Sequence, residues 1–327
     1  MNVLVTGSAG FIGFHFTKKL LDLKKFKVIG LDNLNNYYDL NLKKERNKIL
    51  NTYKNFTFYK KDLINYNQLE TIFKKEKIDK IVHLAAQAGV RYSIINPDSY
   101  FNSNVLGFFN ILKLSTKYKI KHLIYASTSS VYGNCNTMPF NEEDDTNKPI
   151  QFYAATKKSN EVMAYSFSAI YNLPTTGLRF FTVYGPWGRP DMALFKFTTS
   201  IIKNKPIHLF NNGNHNRDFT YVDDITNGIF RIFISSQKKN KHNVPADIYN
   251  IGRGKKEKLL RYINIISNTL KMPYKFKTFN LQKGDIKDTL ANIFKIKKSF
   301  GYKPKTNIET GIPKFINWYL GYHQKKR

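Results

Sequence analysis

The sequence contains a single cysteine, Cys135, among 327 residues. One cysteine cannot form a disulfide within the chain, and such sparse usage is typical of proteins of a reducing cytosol. We therefore expect a cytoplasmic protein. Cys135 itself is interpreted as an incidental small residue in a loop.

Long apolar runs are missing as well. No uninterrupted apolar stretch approaches the roughly 18 residues that a helix needs to cross a bilayer, so no membrane insertion is predicted. The first residues enter an apolar strand pattern directly, without the basic segment and apolar core of a secretory signal. We therefore expect no signal peptide.

Acidic residues are scarce: the sequence contains 23 Asp and Glu residues but 53 Lys and Arg residues, which gives a net charge of +30. An excess of this size commonly indicates binding to nucleic acid or an anionic membrane. Here the lysines are spread along the whole chain, and Lys, Asn and Ile are abundant together, which indicates a background composition bias. We predict no nucleic-acid binding, and at most a mild attraction of an anionic substrate. No metal site is predicted.

Short apolar runs alternate with amphipathic helical patterns through the first half of the chain, and an apolar content of 42% is ample for a core. The runs, interpreted as strands buried on both faces, are 2–6, 27–31, 56–60, 79–85, 122–127 and 174–181. The helical patterns between them are 11–24, 40–50, 65–76, 97–118 and 152–171. From about Gly185 come loops, shorter strands and helices, including 192–203, 222–236 and 256–272.

This alternation predicts an α/β fold, a Rossmann-type doubly wound parallel sheet with a smaller C-terminal α/β lobe. Right-handed crossovers place the ligand crevice at the carboxyl ends of the strands. We expect residues 1–184 to form mainly the sheet domain and residues 185–327 mainly the smaller lobe, with some elements interleaved.

A glycine-rich segment lies between the first strand and the first helix. Gly7 permits a tight turn, Gly10 lets the backbone approach a pyrophosphate, and Gly13 lets the helix pack close to the strand. Phe11 and Ile12 complete the turn. The positive end of the helix then faces the phosphates. The segment predicts a dinucleotide site, which makes 1–184 the cofactor-binding domain.

The ends of the next strands carry further candidate cofactor residues. Asp32, followed by Asn33, ends the second strand; its carboxylate can accept the adenosine ribose hydroxyls and would repel a 2′-phosphate, so NAD is favoured over NADP. Asp62 and Leu63 close the third strand and could flank the adenine. The fourth strand ends in small residues that let a flat cofactor lie against the backbone, namely Ala85 and Ala86, followed by Gln87.

Tyr153 and Lys157 are spaced one helical turn apart, so both side chains lie on one face. A lysine ammonium beside a phenol favours the phenolate and should lower the pKa of Tyr153 towards neutrality. A phenolate near a nicotinamide can take the proton of a carbinol while the ring takes the hydride. The pair therefore predicts the catalytic base of a dinucleotide-dependent reaction.

With these residues in place, the chain resembles the extended short-chain dehydrogenase/reductase family, and within it the nucleotide-sugar epimerases of the UDP-glucuronate 4-epimerase type. The resemblance runs nearly end to end. The resemblance rests on six segments of the sequence: TGSAGFIG (6–13), HLAAQAGVRYS (83–93), YASTSSVYG (125–133), YAATK (153–157), LRFFTVYGPWGRPDM (178–192) and RDFTYVDD (217–224).

The resemblance implies roles for four further residues. Thr128 takes the hydroxyl position of a catalytic triad with Tyr153 and Lys157, although any hydroxyl from Ser127 to Ser130 could act. Asn104 supports the floor of the active site and is included among the cofactor-binding residues. Arg217 grips the nucleotide diphosphate, since a guanidinium suits bidentate phosphate binding, and Arg189 faces the nucleotide sugar.

The activity that the resemblance implies is C4 epimerisation of a UDP-hexuronate, UDP-glucuronate to UDP-galacturonate, through a transient 4-keto sugar. The substrate carboxylate would be held by neutral hydroxyls, for which Ser129, Ser130 and Thr182 are the candidates. Related decarboxylases and dehydratases usually carry an acidic residue in the segment equivalent to 128–130, and this chain has none. That difference favours the epimerase.

Three alternatives stay open. On the same scaffold the chain could be a UDP-glucose or UDP-N-acetylglucosamine 4-epimerase, or a UDP-glucuronate decarboxylase. More remotely, it could be a non-catalytic Rossmann protein that binds NAD or nucleic acid. The resemblance also implies a homodimer formed by two helices of each subunit, 97–118 and 152–171, and a product destined for polysaccharide biosynthesis.

Overall fold

The computed structural model describes residues 1–135, 137–281, 284 and 286–324. The strands are β1 Asn2–Thr6, β2 Lys27–Asp32, β3 Phe56–Lys60, β4 Lys80–His83, β5 His122–Thr128, β6 Thr175–Phe180, β7 Thr182–Tyr184, β8 Ile207–Phe210, β9 Asn216–Arg217, β10 Phe219–Tyr221, β11 Ala246–Ile251, β12 Glu257–Lys258 and β13 Phe276–Phe279. The α-helices are α1 Phe11–Asp22, α2 Leu40–Leu50, α3 Tyr66–Glu76, α4 Tyr92–Ile95, α5 Pro97–Tyr100, α6 Gly107–Lys117, α7 Phe152–Tyr171, α8 Ala193–Ile202, α9 Val222–Ile234, α10 Leu259–Leu270, α11 Phe294–Phe300 and α12 Ile308–Gln324.

Seven parallel strands form the main sheet, in the order β11-β6-β5-β4-β1-β2-β3. The order reverses between β1 and β4, which creates a crevice at their carboxyl ends. Successive residues of β1 point to opposite faces: Val3 and Val5 join the core under α1 and α9, whereas Leu4 joins the core under α3 and α6. The predicted doubly wound sheet is confirmed.

A separate core holds the smaller lobe together. Residues of α8, α10 and α12 pack with β7, β8 and β10 around Tyr262, Phe219 and Phe315. The rings of Phe219 and Tyr262 stack with their centroids 4.0 Å apart. This lobe lies C-terminal to β6, and it confirms the predicted α/β lobe.

Two features of the fold were not predicted. β11 comes from the C-terminal half of the chain but pairs with β6 as the seventh strand of the main sheet. The pattern at 97–118, interpreted as one helix, contains a π-helical turn from Phe101 to Leu106 between α5 and α6. Within the described ranges, no helix is both long enough and apolar enough to cross a membrane.

Candidate active site

The turn between β1 and α1 depends on backbone contacts that side chains would block. Gly7 has a φ of +73°, and a Cβ there would lie 2.7 Å from the Ala85 backbone nitrogen. A Cβ on Gly13 would lie 2.0 Å from the Gly7 oxygen. Gly10, which precedes α1, caps the helix without a side chain, so the first amides of α1 are available to an anion.

A cavity of about 420 Å³ follows the carboxyl ends of the strands from this turn to α7. It brings together most of the residues that the sequence predicted. Those that line it are Gly7, Gly10, Phe11, Ile12, Gly13, Asp32, Asn33, Asp62, Leu63, Ala85, Ala86, Gln87, Thr128, Ser129, Ser130, Tyr153, Lys157, Thr182 and Arg189. Two predicted residues, Asn104 and Arg217, do not line it.

Asp32 lies at the far end of the cavity from α7. Its two carboxylate oxygens accept hydrogen bonds from the Ala9 and Leu34 amides, at 3.2 and 2.9 Å. Burial raises the pKa of Asp32, while the charge of Lys43 and these amides lower it. Each oxygen keeps a lone pair for a further donor such as a ribose hydroxyl. Asn33 beside it donates to Asp62 at 2.8 Å.

At the other end, Thr128 at the end of β5 and Tyr153 of α7 line the cavity together, and Thr128 lies close enough to lower the pKa of the Tyr153 phenol. Thr128 Oγ1 also accepts from the Ser130 amide at 3.2 Å, which fixes its rotamer. Lys157 lies one helical turn beyond Tyr153 and is 1% exposed. A hydroxyl, a phenol and an amine therefore share one wall of the cavity.

The expectation that Lys157 lowers the pKa of Tyr153 is wrong for the protein without a bound cofactor. Burial raises the pKa of Tyr153, and the Thr128 hydrogen bond and the charge of Arg189 offset this only in part. Burial also lowers the pKa of Lys157 to about 7, although the charge of Glu161 raises it. Desolvation disfavours the charged form of both groups. Without a bound cofactor, Tyr153 is therefore a neutral phenol and Lys157 is a partly neutral amine.

These residues fit a bound dinucleotide. Lys157 Nζ and Gln87 Nε2 are buried at the cavity and have no hydrogen-bond partner in the described part of the chain. Buried donors without partners are costly, and a ligand that accepts hydrogen bonds would satisfy them. Together with the uncapped amides of α1 and the lone pairs of Asp32, they provide donors and acceptors along the whole cavity.

The structure distinguishes the four adjacent hydroxyls from Ser127 to Ser130. Ser127 Oγ donates to Glu161 Oε1 at 2.6 Å, and Glu161 forms a two-point ion pair with Arg179, with both N–O distances 2.9 Å. Ser127 lines the cavity, but its hydroxyl is engaged by Glu161. Thr128 is the one of the four that lowers the pKa of Tyr153, and Ser129 and Ser130 also line the cavity.

Asn104 lies beneath the cavity rather than on its surface, because its amide is used by the protein. Its Oδ1 accepts from the Gln87 amide at 2.8 Å, and its Nδ2 donates to Gln87 O and Thr156 Oγ1, both at 3.0 Å. The π-helical turn directs this side chain inward, as such turns often do at functional sites. Asn104 thereby joins the end of β4 to α7.

The two arginines differ in position. Arg189 lines the cavity, where it is paired with Asp191 at 2.5 Å and donates to Ala88 O at 3.3 Å. Arg217 instead donates to the carbonyl oxygens of Ile286 and Lys287, both at 2.6 Å, because β9 turns its guanidinium towards that segment. The geometry therefore does not place Arg217 at the cavity.

Sequence reasoning missed several lining residues on the segment after β2. Tyr37 and Tyr38 line the cavity, as does Lys43 of α2, whose Nζ donates to Asn35 O at 2.8 Å. Burial lowers the pKa of Lys43 to about 8. Because Lys43 lies in a lysine-rich helix, nothing in the sequence distinguishes it as a cavity residue. The only available signal was the position of this segment, directly after a strand end.

A glycine turn, an acidic residue at the end of β2 and a Tyr–Lys pair at the switch point together define a dinucleotide-dependent enzyme of the short-chain dehydrogenase/reductase type. Comparison with known proteins agrees. The chain belongs to the NAD dependent epimerase/dehydratase family, whose model matches residues 3–252.

Similar proteins extend this assignment over the whole chain. Protein CapI of Staphylococcus aureus is 48% identical over 336 aligned positions, which cover 99% of this chain and 100% of that protein. The probable UDP-glucuronate 4-epimerase of Rhizobium meliloti is 40% identical, with 98% of this chain and 97% of that protein covered. The crystal structure of a UDP-glucuronic acid 4-epimerase from Bacillus cereus, in complex with UDP-glucuronic acid and NAD, superposes with a TM-score of 0.91 at 29% identity, covering 98% of this chain and 100% of that one.

Proposed function

We propose that this protein is an NAD-dependent isomerase that inverts C4 of UDP-glucuronate to give UDP-galacturonate. The observation that carries the proposal is that Tyr153, Lys157 and Thr128 line the same cavity as the glycine turn and Asp32. The likeness to UDP-glucuronate 4-epimerases supports the choice of substrate.

Tyr153 is the proton acceptor for the sugar 4-hydroxyl and later returns the proton to the 4-keto oxygen. Thr128 orients the phenol and hydrogen-bonds the same sugar oxygen. When bound, NAD supplies a hydride acceptor and donor and a positive charge near the phenol. That charge would oppose the burial that raises the pKa of Tyr153 and would favour the phenolate in the loaded enzyme.

The uronate carboxylate requires separate control. Oxidation at C4 makes it a β-keto acid, which loses CO2 readily. Ser129, Ser130 and Thr182 line the cavity and present neutral hydroxyls that can hold the carboxylate in place. Arg189 lies on the same wall, and we assign it to the nucleotide sugar. We also assign Arg217 to the diphosphate, which requires its guanidinium to exchange the Ile286 and Lys287 carbonyls for phosphate.

The cofactor is assigned to the first lobe, residues 1–184, and most of the nucleotide sugar to residues 185–327. Asp32 is assigned to the adenosine ribose, Asp62 and Leu63 to the adenine, and Lys157 to an acceptor on the nicotinamide half. The remaining cofactor contacts are assigned to Gly7, Gly10, Phe11, Ile12, Gly13, Asn33, Ala85, Ala86 and Gln87, with Asn104 as their support from below.

We also propose a cytoplasmic homodimer whose product serves polysaccharide biosynthesis. Apolar side chains project from α4 to α7 on one side of the molecule. They are Ile94, Ile95, Phe101, Leu106, Phe109, Phe152, Val162, Tyr165, Ile170 and Tyr171, each at least 38% exposed. Burial of such a face against a second copy would remove a large apolar patch from water.

The direct test is to incubate the protein with UDP-glucuronate and follow the products by NMR. We expect UDP-galacturonate with the carboxylate retained. Release of CO2 would identify a decarboxylase, and turnover of UDP-glucose or UDP-N-acetylglucosamine alone would identify an epimerase of neutral sugars.

Tyr153→Phe separates an enzyme from a non-catalytic binder. The variant should lose nearly all turnover while it still binds NAD, because only the proton acceptor is removed. Tyr165→Phe, an exposed position on the same helix, is the matched control and should keep full activity. Duplex DNA binding that survives moderate salt would favour the nucleic-acid alternative instead.

A further inference from the structure

A buried histidine lies behind the catalytic lysine. His83, the last residue of β4, is fully buried, and its ring packs against Phe108 with the centroids 5.2 Å apart. Its Nδ1 lies 2.9 Å from Thr6 Oγ1 at the end of β1. Thr6 Oγ1 also accepts the Ala85 amide at 3.2 Å. The imidazole is therefore fixed between the glycine turn and the loop that follows β4.

The fold brings this imidazole to the inner side of Lys157. His83 projects from the sheet face that α6 and α7 cover, since Phe108 of α6 contacts both His83 and Tyr125. Asn104 joins Gln87, four residues after His83, to Thr156, the neighbour of Lys157. The charge of Lys157 lowers the pKa of His83, as burial does more strongly, to about 3. His83 is thus a neutral imidazole within electrostatic reach of the ammonium.

His83 and Lys157 each carry a buried nitrogen without a partner among the residues that the structure describes. These atoms are His83 Nε2 and Lys157 Nζ. Asn160, one turn after Lys157, also has its whole amide buried without a partner in that part of the chain. A neutral Nε2 is an acceptor when Nδ1 carries the hydrogen, and Thr6 Oγ1 is placed to accept that hydrogen.

We infer that His83 is a positioning residue for the proposed epimerase reaction, whose Nε2 accepts a hydrogen bond from one internal water that in turn accepts from the Lys157 ammonium. The inference rests on the proposed function for its catalytic consequence. Acceptance by a neutral group stabilises the ammonium without neutralising its charge, so Lys157 keeps both its orientation and its positive charge beside the reacting groups.

Other ionisable groups around the pair are accounted for. Tyr153 and Glu161 share α7 with Lys157, while Tyr125 of β5 and Arg179 of β6 lie near Glu161. Glu161 is held by Arg179 and Ser127. Burial raises the pKa of Tyr125 far above neutrality.

The first test does not depend on activity. In protein labelled with ¹⁵N-histidine, NMR should show His83 as the neutral tautomer with hydrogen on Nδ1 and a hydrogen-bonded Nε2. Lys157→Met should shift the His83 Nε2 resonance. His122, a buried neutral histidine of β5 bonded to Thr176 Oγ1 at 2.8 Å, is the matched control and should not shift. An unchanged His83 resonance would overturn the inference.

The second test is kinetic. His83→Leu removes the acceptor and should lower kcat about ten- to a hundredfold, the effect of a hydrogen bond to a charged group. Because the ammonium is less stabilised, the alkaline limb of the kcat profile should move to lower pH. His83→Gln, which restores an acceptor near Nε2, should recover most of both effects.

His122→Leu controls for the loss of a buried histidine and should leave the pH profile in place. The inference would be contradicted if kcat fell at the same alkaline pH in His83→Leu, His83→Gln and the parent protein. If His83→Leu does not fold, the Gln variant and the NMR comparison decide. If UDP-glucuronate is not turned over at all, the proposed function fails while the NMR result still tests the contact.

Discussion

At the scale of single residues, burial decides the ionisation of the site more than charge pairing does. The i, i+4 spacing of Tyr153 and Lys157 correctly predicts that both face the cavity. It could not predict that burial would raise the pKa of the phenol and lower that of the amine to about 7. Spacing reports which side chains share a helix face, whereas desolvation depends on what the rest of the fold packs around them.

This ionisation predicts a pH-dependent stability. The pKa of Lys157 falls from 10.5 to about 7 on folding, so the unfolded chain binds more protons between these pH values and stability rises with pH across that window. Lys157→Met lacks this dependence. We expect the cofactor-free variant to be more stable than the parent near pH 7, by a margin that narrows as the pH increases, measured by urea unfolding.

Lys158→Met tests whether any lysine of this helix behaves in the same way. The Lys158 ammonium bonds to Thr146 and pairs with Glu161 at 3.8 Å, and its side chain is 25% exposed rather than buried, so this variant shows what the loss of a less buried lysine of the same helix does to stability. A margin for Lys157→Met that does not vary with pH would contradict the burial argument.

At the scale of elements, the turn between β1 and α1 shows how closely backbone segments approach one another around the proposed cofactor site. Gly13, in the first turn of α1, faces the Gly7 carbonyl with no room for a side chain. The glycine spacing was recognisable in the sequence because this close approach requires it. The π-helical turn that directs Asn104 inward carries no comparable spacing signal, since one extra residue in a helical turn leaves the apolar pattern almost unchanged.

Gly13→Ala should displace α1 from the turn. The added Cβ would lie 2.0 Å from the Gly7 oxygen, so we expect a loss of about 1–3 kcal/mol in the free energy of unfolding and at least about tenfold weaker NAD binding. Gly321→Ala is the matched control, because a Cβ at this position of α12 meets nothing within 4 Å. It should stabilise the protein by up to about 1 kcal/mol. Calorimetry measures the stability of each variant, and titration with NAD measures its affinity for the cofactor. Equal effects of Gly13→Ala and Gly321→Ala would contradict the steric argument.

At the scale of the whole molecule, the chain crosses between its two lobes more than once. After β6 it forms β7 and the smaller lobe, and it then returns to add β11 to the main sheet beside β6. Tyr302, which follows α11, is buried against the main core and donates to Gly252 O at 3.0 Å. The cavity therefore lies between lobes that share a sheet rather than between two independent domains.

The exposed apolar face predicts the assembly. Val162→Lys combined with Tyr165→Lys places two charges on that face of α7 and should convert a dimer to a species near the 38.1 kDa chain mass in analytical ultracentrifugation. Ile234→Lys is the control: Ile234 is 58% exposed, as Val162 is, but it lies at the end of α9 on the opposite side of the sheet. A parent protein that sediments as a monomer would contradict the proposal.

The sequence by itself determined the type and order of most elements, the glycine turn and the Tyr–Lys pair, because these depend on local periodicity and on spacings of a few residues. Only the tertiary structure decided that the Ser127 hydroxyl is bound to Glu161, and that β11 completes the sheet. It also placed Lys43 at the cavity and His83 between Thr6 and Phe108. These outcomes depend on contacts between residues far apart in the chain, and on the desolvation that such contacts impose.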